Sequence, residues 1–161
     1  MAILHCTRKL LRHLPVHDEP PRTAPGGLLD SWYATLLVVR PKQLVILVHE
    51  ETRLPVLLPA APLRALLERI PGAVAEVLEA LGVEGTIIAR ERDMLEHMTV
   101  ASTQNRSVLG TMNDFVAQFG WIRDRQPDHS LLELSLMLAE IPLSPLRYGH
   151  ASEAVRILLR D

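Results

Sequence analysis

A chain of 161 residues with 48% apolar and 22% charged residues is long enough to bury a core without staples, and its composition is that of neither a disordered nor a fibrous protein. The net charge of −2 argues against a broad electrostatic grip on nucleic acid and leaves a local basic patch as the only route to such a partner. The single cysteine, Cys6, rules out a disulfide within the chain and fits a reducing cytoplasm.

No uninterrupted stretch reaches the roughly 18 apolar residues of a spanning helix, so no membrane partner is expected. Arg8, Lys9 and Arg12 follow the first apolar run instead of preceding it, the reverse of a signal peptide. The expectation is one cytoplasmic domain over 1–161.

In chain order, Ile3 to Cys6 reads as a strand, and Thr7 can cap a short helix that Pro15 stops. Residues 15–29 carry four prolines and two glycines and are expected to form a mobile loop. Trp32 to Val39 and Leu44 to His49 form the clearest strands, joined by a tight turn at Arg40–Gln43. Both phases of this hairpin are apolar, which predicts a sheet covered on much of both faces. Leu54 to Leu58 gives a third extended run. Leu63, Leu66, Leu67 and Ile70 mark a helix that Pro71 is expected to end or restart, with Gly82 capping the restarted piece. Thr86 to Ala89 reads as a brief strand and Arg90 to His97 as a charged surface helix. Met98 to Ala101 is a further strand. Asp128 or Ser130 can cap a helix over Leu131 to Ala139, and Ala151 to Leu159 closes the chain with another. The fold class is α+β: a small antiparallel sheet around a central hairpin, packed by several helices.

The most informative stretch is Thr99 to Gly120. At 100° per residue, Val108, Leu109, Met112, Phe115, Val116 and Phe119 share one sector and face the core. Arg106, Gly110 and Asn113 lie opposite, flanked by Ser107 and Asp114. Gly110 in mid-helix leaves room for a backbone or ligand to approach. Free N–H groups near Asn105 attract anions. The candidate ligand or partner contacts are therefore Thr103, Asn105, Arg106, Ser107, Asn113 and Asp114. The plain structural alternative is that Arg106 and Asp114 anchor the helix to neighbouring loops.

Thr103, Asn105-Arg106-Ser107-Val108-Leu109-Gly110 and Met112-Asn113-Asp114 together resemble the signature of an uncharacterised bacterial domain family of unknown function. Ile3 to Leu11, Ser31 to Leu36 and His49 to Arg53 are similar to further segments of that family, so the resemblance spans most of the chain. Some similar sequences are labelled as plasmid open-reading-frame products. The resemblance implies a fold shape and a bacterial origin, and it carries no activity with it.

The sequence holds no HExxH, CxxC, GxSxG, P-loop or dinucleotide fingerprint, and no cofactor is expected. His5 and His49, with Cys6 and Glu50 nearby, would meet only if their strands were neighbours. Alternation sends His5 and Cys6 to opposite faces, so no metal site is assigned. Two functions remain. One is a binding or regulatory module, with a protein as one kind of partner, using the polar helix face around Asn105–Asp114. The other is a small enzyme acting on a phosphate-containing or other anionic substrate through Arg106, Asn113 and Asp114.

Overall fold

A computed structural model describes residues 2–14, 27–39, 42–125 and 127–160. A five-stranded sheet divides two apolar cores. Its strands are β1 (Ala2–Cys6), β2 (Ser31–Val39), β3 (Lys42–His49), β4 (Pro55–Pro59) and β5 (Met98–Ser102), in the order β4-β3-β2-β1-β5. The hairpin β2–β3 and the pair β3–β4 are antiparallel. β1 lies parallel to both β2 and β5. The class is α+β, with the expected hairpin in the middle and a parallel wing added beside it.

Alternation along the strands sorts side chains between the two faces. Leu4, Trp32, Ala34, Val45, Leu47 and Val56 point to one core. The helices α1 (Arg8–Leu11), α2 (Leu66–Ala80), α3 (Gly85–Leu95) and α6 (Ala151–Leu158) close it. Tyr33, Leu37, Leu44, Ile46, Val48 and Leu57 point to the other, under α4 (Arg106–Arg125) and α5 (Leu131–Leu138). α4 packs on β2 and β3, and α5 on β4. Over β1 and β5 that second face is only half-covered: Ile3, His5, Thr99 and Ala101 are all half-buried.

α4 buries Val108, Met112, Phe115 and Phe119 as its period predicts, and Thr111 and Ile122 with them. Ser130 caps α5 by accepting the Glu133 N–H at 3.1 Å. Gly82, at φ +83°, follows α2 in the left-handed conformation that favours glycine.

Two expectations are corrected. Pro71 neither ends nor restarts its helix, because α2 runs unbroken from Leu66 to Ala80. Proline there removes one ladder bond and crowds a carbonyl, at a cost of about 3 kcal/mol. The buried stripe Leu66, Ile70, Pro71, Val74, Val77 and Leu78 is continuous across it, and each such side chain contributes roughly 1.5–3 kcal/mol. Thr86 to Ala89 is not a strand but the first turn of α3. Its β-branched residues suggest a strand, yet Ile87, Glu91, Met94 and Leu95 are buried at helical spacing, and tertiary burial overrides local propensity.

α3 also differs from a purely solvated helix. Glu91 is fully buried, and its carboxylate accepts the Leu28 N–H at 3.3 Å and the Leu29 N–H at 3.2 Å. Of the expected mobile loop 15–29, residues 15–26 lie outside the described residues, as do Arg40 and Pro41 of the hairpin turn. Its last residues, 27–29, are held against α3.

Candidate functional site

The half-covered face of β1 forms one wall of an open cleft of about 700 Å³, within the range of small-molecule sites. The parallel register sets His5 beside Tyr33. Their rings stack with centroids 4.5 Å apart and planes at 23°. His5 Nδ1 lies 3.0 Å from the Ser102 carbonyl oxygen. A carbonyl can only accept, so Nδ1 carries the proton and, in the neutral ring, Nε2 keeps its lone pair.

The sheet's backbone fixes the next wall. Ile3 N–H donates to the Asp30 carbonyl at 2.8 Å, and Glu50 N–H donates to the Ser31 carbonyl at 3.0 Å. Asp30 and Glu50 therefore sit at the same end of the sheet, and both line the cleft. Burial raises the Asp30 carboxyl above its usual range, with the Glu91 and Glu50 charges adding to the effect.

The third wall is the start of α4. Asn105 and Arg106 line the cleft together with Gln104. Asn105 Oδ1 accepts the Ser107 N–H at 2.9 Å and the Val108 N–H at 3.3 Å, which is the geometry of an N-cap. The N–H groups that could draw an anion to this helix start are thus partly taken by the chain itself. The Tyr33 hydroxyl joins the walls. It accepts the Asn105 N–H at 3.1 Å and donates to Glu50 Oε1 at 3.5 Å. Burial first, and the Glu50 charge with it, raises the Tyr33 pKa, so the phenol keeps its proton.

Behind these walls lies Arg53, only 8% exposed and at φ +62°. Its guanidinium donates to the Glu50 carbonyl through Nη1 and to Ser107 Oγ at 2.9 Å through Nη2. It ties the β3–β4 turn to the first turn of α4. Burial lowers its pKa, opposed by the Glu50 charge. The same turn is pinned by His49, whose Nδ1 accepts the Thr52 N–H at 3.1 Å. Burial holds the His49 pKa down to about 4. The walls are preorganised by buried groups, which is the arrangement a precise site requires.

Of the residues singled out from the sequence, Asn105 and Arg106 line the cleft, and Ser107 stands just behind it as the Arg53 partner. Thr103 is half-buried in the connection from β5 to α4. Asn113 and Asp114 are exposed farther along α4 and do not line this cleft. Gly110 is exposed, with open space where a side chain would go, so nothing among the described residues approaches it. Neither Arg106 nor Asp114 forms an ion pair among the described residues.

Sequence reasoning missed His5, Asp30, Tyr33 and Glu50 as neighbours of Asn105. The signal was weak: a polar residue on the second face of a strand whose first face is wholly apolar. His5 and His49 do not converge, because they pack on Tyr33 and Trp32, which face opposite cores. Among the described residues no three His, Cys, Asp or Glu side chains are grouped so as to hold a metal ion, and no helix is long and apolar enough to cross a membrane. Cys6 is buried, its thiol pushed up to about 12 by that burial, which makes it a poor nucleophile.

The profile of a family described as a domain of unknown function, DUF6933, matches residues 3–154. No curated protein matches the chain.

Proposed function

This chain belongs to the DUF6933 family, and we propose that it is a binding module whose cleft between β1, the start of β2 and the start of α4 takes a small polar ligand. One observation carries the reading: Asp30, Glu50 and Arg106 converge on an open cleft, and none of them forms an ion pair among the described residues. Charged groups kept for stability alone are ordinarily paired when partly desolvated, as the half-buried Asp30 and Glu50 are. Here the scaffold holds them apart and supplies a stacked ring pair and a bridging phenol between them. A bacterial, cytoplasmic setting belongs to the same proposal, as does a regulatory role in which ligand occupancy is passed to a protein partner.

The test is a thermal-shift screen of polar metabolites against the whole chain and its Arg106→Gln variant. Arg106 is exposed, so the variant should melt with the parent. A ligand that raises the parent's melting temperature and loses that effect in the variant supports the reading. Ligands that stabilise both proteins equally would count against it.

His5 favours a second reading, a small enzyme acting on an anionic substrate. With Nδ1–H held by the Ser102 carbonyl, Nε2 is a proton acceptor, the state a general base needs. Arg106 would face the anion, while Asn113 and Asp114 are exposed away from the cleft and would take no part. Turnover of a phosphate ester that His5→Asn abolishes, with binding retained, would select this reading over the first.

A further inference from the structure

The cleft's charges are not mixed. Its acceptors gather on the sheet side: the Asp30 carboxylate, the Glu50 carboxylate and the lone pair of His5 Nε2. Its cation, Arg106, lies on the α4 side. The Tyr33 hydroxyl touches both sides, with Glu50 Oε1 at 3.5 Å and the Asn105 N–H at 3.1 Å. The acidic wall and the start of α4 are therefore within reach of one small molecule. Arg53 offsets part of the Glu50 charge from behind, but it donates to the Glu50 carbonyl and not to the carboxylate. Among the described residues, the oxygens facing the cleft have no cation paired with them and the Arg106 guanidinium opposite has no anion.

A simple anion would meet two carboxylates, and like charges at close quarters are unfavourable. A simple cation would meet Arg106. Opposed charges on the two walls are complementary to a ligand that carries both signs.

We propose that the cleft binds a small zwitterion, its protonated amine received by Asp30 and Glu50 and its carboxylate or phosphate received by Arg106. This rests on the cleft being a ligand site and adds the chemical class. His5 Nε2 and the Tyr33 hydroxyl then hold the middle of the ligand, and the size of the cleft leaves room for a side group beyond a bare amino acid.

The test is an NMR titration of the whole chain, read at the backbone amides of Ser31, Gln104 and Asn105. Glycine and phosphoethanolamine serve as zwitterions and distinguish a carboxylate from a phosphate source. Ethanolamine, inorganic phosphate and erythritol serve as single-charge and neutral probes. At least one zwitterion should bind about tenfold or more tightly than either single-charge probe, a gain of roughly 1.4 kcal/mol. Glu50→Gln should weaken the zwitterion and ethanolamine but not phosphate. Arg106→Gln should weaken the zwitterion and phosphate but not ethanolamine. Far-UV melts of both variants check that they are folded.

Phosphate or erythritol binding as tightly as the zwitterions would overturn the proposal and leave the cleft standing as a ligand site. Silence of these amides with every probe would also overturn it. The cleft reading itself would fall only if the metabolite screen likewise yielded no ligand sensitive to Arg106→Gln.

Discussion

Tyr33 and Asn105 are 72 residues apart in sequence, and the Tyr33 hydroxyl accepts the Asn105 backbone N–H at 3.1 Å. That contact fastens the start of α4 to the sheet at the very residue that caps the helix. Tyr33→Phe keeps the ring that stacks on His5 and removes the acceptor. It should destabilise the fold by about 1–2 kcal/mol, since the Asn105 N–H loses its partner in a part-buried place. Urea unfolding of the two proteins measures this, and equal midpoints would contradict it.

Gly27 has no room for a side chain. A Cβ there would lie 2.3 Å from Met94 Sδ and 2.8 Å from Glu91 Oε2. Methionine can swing aside, but the Glu91 carboxylate is held by the Leu28 and Leu29 N–H groups. Gly27→Ala should cost about 1–3 kcal/mol through overpacking. A melting curve identical to the parent's would show that the contact with α3 is slack.

Gly110 is the opposite case. Among the described residues nothing lies within 4 Å of the place a Cβ would take, and the residue sits inside α4. Gly110→Ala should stabilise the protein by about 1 kcal/mol, the ordinary difference in helix preference. A loss of stability on calorimetry would mean that something does approach this face.

His49 makes stability depend on pH. Its folded-state pKa of about 4 lies below the ordinary 6.5, chiefly through burial. Protonation would also turn Nδ1 from an acceptor into a donor facing the Thr52 N–H. A depressed pKa means that the unfolded chain takes up the proton first. The stabilisation is therefore complete above about pH 6.5 and is lost as pH falls towards 4, reaching roughly 3 kcal/mol for the whole shift. Urea midpoints between pH 7.5 and 4 should fall accordingly. An imidazole titration read by NMR near pH 6.5 would contradict the assignment.

Much of the fold is legible in the sequence because its signals are local. The apolar phases of Trp32–Val39 and Leu44–His49, the period of Val108, Met112, Phe115 and Phe119, and the caps at Ser130 and Gly82 each follow from neighbours in the chain. The parallel pairing of β1 with β2 and β5 does not, since it brings His5 against Ser102 across 97 residues, and no local pattern encodes that register. The site divides in the same way. Asn105 and Arg106 are visible as a helix start. Asn113 shares a helical sector with Arg106, but seven residues at 1.5 Å each set it about 10 Å farther along the axis, so a shared side of the helix is not a shared site. Tyr33 and Glu50 join the cleft, and Arg53 comes to lie behind it, only once the sheet has formed.

The most direct test of the central claim is the location of a bound ligand. Backbone amide shifts should be recorded for the chain with and without the best stabilising compound from the metabolite screen. The account predicts perturbations centred on Ser31, Gln104, Asn105 and Arg106 that vanish in Arg106→Gln while its melting temperature stays at the parent's value. Perturbations centred on the exposed face of α4 around Asn113 and Asp114, or on α5, with the cleft amides unmoved, would contradict it.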